Sequence, residues 1–183
     1  MSALLALFLA AAPASTFQRA GSFEVKSGRL RVGDLPYAGG DDLEPSGGGA
    51  VDVKKGVRRA AVDVGEVEPE GHAARELLIV HVSTATSLEL RWGRADFGVL
   101  NVSGFIEMVD ASRSREGALV NKALKVAIVP GGVVAKSHGD ARYVVQLGKN
   151  TAGEVVAVRI TFAASAESDA AWAARARAAF VAQ

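Results

Sequence analysis

The sequence predicts an α+β fold that is mostly antiparallel β-sheet. Three observations carry this expectation. From residue 22 onward, short runs of alternating apolar and polar residues recur, each bounded by Gly, Pro, Asn or Ser. The clearest run is 138–162, HGDARYVVQLGKNTAGEVVAVRITF. There Tyr143, Val145 and Leu147 alternate with Arg142, Val144 and Gln146, and Val156, Val158, Ile160 and Phe162 alternate with Val155, Ala157, Arg159 and Thr161 across a Lys149-Asn150-Thr151-Ala152-Gly153 turn. A period of two places one set inward and the other outward, so the run reads as a β-hairpin. Third, helical spacing is confined to two stretches, one internal helix at about 111–126 and a C-terminal helix at about 168–181.

At 183 residues the chain suits one domain with short appendages. Its 49% hydrophobic and 22% charged residues suit a folded core and exclude wholesale disorder. Lys and Arg number 21 against 20 Asp and Glu, so neither sign builds a field that would collect nucleic acid. The absence of Cys excludes disulfides, zinc–thiolate centres, iron–sulfur clusters and thiol nucleophiles. No cofactor is expected.

Residues 2–12, SALLALFLAAA, form an unbroken apolar run followed by Ala12-Pro13-Ala14 and polar Ser15-Thr16. The run is too short to span a bilayer and has the length of a signal-peptide core. Residues 1–14 are therefore a candidate signal peptide, with a mature chain that starts at Ser15, has no transmembrane span and works in the periplasm or outside the cell. No Lys or Arg precedes the run, and the alternative is a cytoplasmic chain whose first residues belong to the fold or form a tail.

The β-rich domain is expected over 22–163. Phe23 and Val25, the Lys26-Ser27-Gly28 turn, and Leu30 and Val32 read as a small hairpin. The 39–49 stretch, GGDDLEPSGGG, reads as a mobile loop. Strands are expected at 50–54, 57–67, 75–83 and 88–92. The most apolar, 76–82, is taken as central, with His81 as a packed or edge histidine. The 99–109 stretch is another strand, and Ser103-Gly104 within it suggests a bulge or a close backbone approach. Asp110 is expected to N-cap the internal helix, whose spaced positions are Ala118, Leu119, Lys122, Ala123 and Val126. Pro130-Gly131-Gly132 is a turn. The C-terminal segment, 165–183, is Ala-rich. It places Trp172, Ala176 and Phe180 on one face, points Arg175 and Arg177 elsewhere, and offers Ser168 as N-cap. This helix is expected to pack on the sheet.

The motifs of the common enzyme classes are missing: no G-x-S-x-G, no P-loop, no H-E-x-x-H, no G-x-G-x-x-G after a strand. With three His and no Cys, no metal site is expected. A weak acid–base constellation is left, His138 and Asp140 around Gly139, with Asp34 and Asp110 as further candidates. Each acid has a structural reading, Asp110 as a cap and Asp34 and Asp140 as turn residues beside Gly.

Several stretches together resemble the mainly bacterial domain of unknown function 4241 family. They are Ser27-Gly28-Arg29-Leu30 with Gly33-Asp34; Lys54-Lys55-Gly56 leading into 57–64; the strand ending at Trp92; Ser103-Gly104 through Asp110; and Gly139-Asp140, Tyr143, Gly148 and Gly153 leading into 155–162. The resemblance covers about 23–162. It implies a shared β-rich fold and carries no established activity. Val102, Ala141, Asn150 and Thr161 depart from the family pattern, and three of these four replace acids, which thins any carboxylate site the family has.

The expected function is a non-catalytic binding or interaction module with a protein or small-molecule partner. One alternative is a hydrolase-like or metal-assisted enzyme using Asp34, Asp110, His138 and Asp140, which requires these residues to converge. The other is an immunity-type or regulatory protein.

Overall fold

Alternation along the strands is realised as two stacked sheets with a helix on one outer face. The computed structural model describes residues 17–35, 48–63, 75–85, 87–102, 104–113, 126–137, 141–162 and 168–181. The strands are β1 (Phe17–Val25), β2 (Arg29–Asp34), β3 (Gly48–Asp52), β4 (Gly56–Asp63), β5 (Glu76–His81), β6 (Arg91–Val102), β7 (Phe105–Asp110), β8 (Val126–Val129), β9 (Gly132–Lys136), β10 (Ala141–Lys149) and β11 (Val155–Thr161). They are followed by helix α1 (Asp169–Val181). One sheet has six strands in the order β1-β4-β5-β11-β10-β6, the other five in the order β3-β2-β7-β9-β8. Every pairing among them is antiparallel. The fold is thus α+β and mostly antiparallel β. Among the described residues no helix is long and apolar enough to cross a membrane.

The inward sets fuse into one core between the sheets. Phe23, Val62, Ile79, Val145 and Ile160 from the six-stranded sheet meet Leu30, Val32, Ile106, Met108 and Val133 from the five-stranded sheet. Each such aliphatic side chain contributes about 2 kcal/mol over leaving it exposed. The 138–162 hairpin is present as β10 and β11, with Val145 opposite Ile160 and Leu147 opposite Val158. Tyr143 and Phe162 stack edge to face with centroids 5.2 Å apart. β5 is indeed central, with all six residues buried.

The opposite set of the six-stranded sheet faces α1. Trp172, Ala176 and Phe180 pack on Leu78, Val80 and Ala157, and the Ala171 N–H donates to Ser168 Oγ at 3.3 Å, as an N-cap requires. Charges are buried in this layer as well. Trp172 Nε1–H donates to Glu76 Oε1 at 2.9 Å, and Arg159 pairs with Glu76 at 3.0 Å while its guanidinium lies 4.2 Å from the Trp172 ring centre. Arg175, expected to point away, instead reaches Asp63 at 2.6 Å across the Phe17 ring. Arg59 Nη1–H closes the layer by donating to the Phe180 carbonyl at 3.0 Å.

Four expectations are corrected. Phe23–Val25 and Leu30–Val32 do not form a hairpin: β1 pairs with β4, while β2 pairs with β3 and β7, so Lys26–Gly28 carries the chain from one sheet to the other. The same holds near Gly104, where β6 in one sheet gives way to β7 in the other. Gly48 and Gly49, assigned to a mobile loop, pair with Gly33 and Val32 in β3. The expected 111–126 helix begins as a turn at 111–113 and ends at Val126, which is already in β8; residues 114–125 lie outside the described residues.

Candidate binding groove

Strand alternation delivers an arginine to the interior. Arg58 is in phase with Ala60 and Val62 on the core-facing side of β4 and is 0% exposed. Its Nη1–H donates to the Val156 carbonyl at 3.1 Å and its Nη2–H to the Lys54 carbonyl at 2.7 Å. Nε has no hydrogen-bond partner among the described residues. Burial lowers the guanidinium pKa from 12.5 to about 10.

His81 is opposite Arg58 in the β4–β5 register. The Ser83 N–H donates to its Nδ1 at 3.2 Å, so Nδ1 is an acceptor, and Nε2 carries the proton toward the Lys55 carbonyl at 2.9 Å. Burial pushes this imidazole below its ordinary pKa; the Lys55 carbonyl opposes that shift, while the charges of Arg58 and Lys54 reinforce it. Arg58 and His81 thereby hold two successive carbonyls, those of Lys54 and Lys55, in the connection between β3 and β4.

That connection meets the β10–β11 turn. Lys54 N–H donates to the Val155 carbonyl at 3.0 Å, and Val53 N–H to the Gly28 carbonyl at 2.8 Å. In the turn, Glu154 N–H donates to Asn150 Oδ1 at 2.9 Å and Asn150 Nδ2–H to Glu154 Oε2 at 2.8 Å. Lys54 Nζ reaches the same oxygen at 3.0 Å. The Asn150 amide, then the Lys54 ammonium, hold the Glu154 carboxyl below its usual range. Between these two connections lies an open groove of about 360 Å³, lined by Asp52, Val53, Lys54, Lys149, Gly153, Glu154 and Val155.

Asp110 closes the same end of the sandwich, but as a structural tie. Its Oδ2 accepts from the Lys26 and Ser27 N–H groups, and its Oδ1 from the Ser112 N–H at 2.9 Å and the Ser112 hydroxyl at 2.8 Å. Burial alone would raise this carboxyl; the bonds from Ser27 and Ser112 outweigh it and hold the group well below the usual carboxylate range. Asp110 thus pins the β1–β2 crossover to the end of β7 and holds the 111–113 turn; the helix it was expected to cap lies, over 114–125, outside the described residues. Asp34 stands at the other end of the β2–β7 pair. Leu30 is opposite Asp110 and Asp34 is opposite Ile106. Four residues of strand therefore separate the two acids, about 13 Å. His138 and Asp140 lie outside the described residues. Their described neighbour Ser137 donates its N–H to the Gly104 carbonyl at 2.9 Å, and Leu35, which follows Asp34, donates its N–H to the Phe105 carbonyl at 2.9 Å. Among the described residues no group of three His, Cys, Asp or Glu side chains could hold a metal ion.

The groove was not anticipated from sequence. Arg58 carries the signal that was available, a charged residue in phase with Ala60 and Val62. No protein-family model, curated protein or solved structure matches the chain.

Proposed function

We propose that the protein is a non-catalytic binding module that holds its ligand in the groove between the β3–β4 connection and the β10–β11 turn. The observation that carries this reading is the construction of the groove: its two walls are tied by the Lys54–Val155 backbone bond and braced from beneath by Arg58 and His81. A recognition surface fixed in advance loses little ordering entropy on binding. The acids support the same reading. Asp110 is saturated by four donors and stands a strand length from Asp34, so these two do not form a paired-carboxylate centre. Export after cleavage before Ser15 and kinship with the domain of unknown function 4241 family belong to the same proposal. They rest on the 2–12 apolar run and on the ordered motifs between Ser27 and Phe162.

A thermal-shift screen of the full chain against small metabolites, with each mixture analysed by mass spectrometry afterwards, tests the reading. Compounds that raise the melting temperature and are recovered unchanged are expected. A compound bound and chemically converted would contradict it.

A further inference from the structure

The geometry points to a small organic anion as the groove's ligand, presenting a carboxylate or phosphate to Lys149 and Lys54 over the buried Arg58 guanidinium. This inference rests on the groove reading and adds the chemistry of the ligand. The charges around the groove do not cancel once their partners are taken into account. Asp52 is 3.1 Å from Arg29 Nε, and Glu154 is held by Lys54 and Asn150, so both lining carboxylates already have cationic or amide donors. Arg58 has two carbonyls and no carboxylate among its hydrogen-bond and ion-pair partners, and its Nε–H is unbonded among the described residues. Its carbonyl partners belong to Lys54, which lines the groove, and to Val156, which follows the lining residue Val155. The guanidinium therefore sits directly behind the wall.

A buried cation without a counter-ion is costly in a medium of low polarisability, and an anion bound nearby lowers that cost. Lys149 is exposed at the mouth and adds an ammonium at the end of β10, and exposed Lys55 follows Lys54 on the β3–β4 connection. Lys54 can turn from Glu154 toward an entering anion, since that ion pair is half exposed and loosely held. The volume of about 360 Å³ is at the small end of ligand pockets and favours a compact molecule. His81 stays neutral beside Arg58 and so adds no charge of its own at neutral pH.

The test is an amide NMR titration of the full chain with four probes: succinate, inorganic phosphate, neutral succinamide, and the dication 1,4-diaminobutane. Succinate or phosphate is expected to shift the Lys54, Lys149, Gly153 and Glu154 amides saturably, and the tighter of the two identifies the preferred head group. Lys149→Gln, a change at an exposed position, should weaken that binding about threefold to fivefold. Arg58→Met, which keeps the buried volume, should weaken it further. Succinamide or diaminobutane binding the same residues as tightly overturns the anion inference and leaves the groove reading standing. Anion binding unchanged in both variants overturns it as well, as does the absence of any anion response. Anion-induced shifts confined to the Asp34 end overturn both readings.

Discussion

His81 shows how one residue couples fold and groove. It accepts from the Ser83 N–H, donates to the Lys55 carbonyl and faces Arg58, so adding a proton would oppose a backbone donor with a second donor and set two cations side by side. The unfolded chain thus takes up this proton at a higher pH than the folded one. The contribution of His81 to stability is complete above about pH 6.5 and is lost as the pH falls from there through its lowered folded value. An imidazole NMR titration should show a midpoint below 6.5 with the Nε2–H tautomer at neutral pH. A midpoint at or above 6.5 would contradict the assigned hydrogen bonds. The sequence suggested a packed or edge histidine at His81, because its neighbours Val80 and Val82 are apolar. Its partners were hidden: Lys55 lies 26 positions away and becomes adjacent only when β4 pairs with β5. Gly56 completes the arrangement. It has a φ of +120°, and a Cβ there would stand 2.8 Å from His81 Nε2.

At the scale of the element, local patterns predicted what local geometry decides. The 138–162 hairpin is set by alternation and a tight turn, and both are contiguous in sequence. The docking face of α1 follows from four-residue spacing, and Trp172 and Phe180 occupy it. Among what escaped are the partner of Arg175 and the sheet changes at Lys26–Gly28 and near Gly104. A strand, a Gly turn and a second strand look the same whether the strands pair with each other or separate into two layers, because strand partners are chosen by distant residues. Trp172 is the strongest single anchor of α1, filling the space beside Trp92 and giving buried Glu76 its N–H donor. Burial raises the Glu76 carboxyl, while Arg159 and Trp172 pull the other way. Trp172→Ala should therefore cost about 3–5 kcal/mol in urea unfolding, and Trp172→Phe, which keeps most of the ring, about 1–3 kcal/mol from the lost donor. A loss below about 1 kcal/mol for the alanine variant would mean that α1 contributes little to the fold.

At the scale of the molecule, two sheets and a helix divide the polar chemistry among separate places. The Asp63–Arg175 pair joins α1 to the six-stranded sheet, and the Glu76–Arg159 pair links two neighbouring strands of that sheet beneath Trp172. Asp110 ties a crossover at one end, Asp34 stands at the other, and Arg58 and His81 brace a groove at the Asp110 end. The α+β class was legible in the sequence because it depends on the count and period of short runs. The groove was not, because it forms where the 53–55 connection meets the 149–155 turn, two segments about one hundred residues apart. This junction is the binding surface we propose. The most direct measurement is the amide chemical-shift footprint of the full chain against a library of small fragments. Hits are expected to concentrate on Asp52, Val53, Lys54, Lys149, Gly153 and Glu154. Footprints gathered instead around Asp34, Ser137 and Ala141, or scattered over the surface, would contradict it.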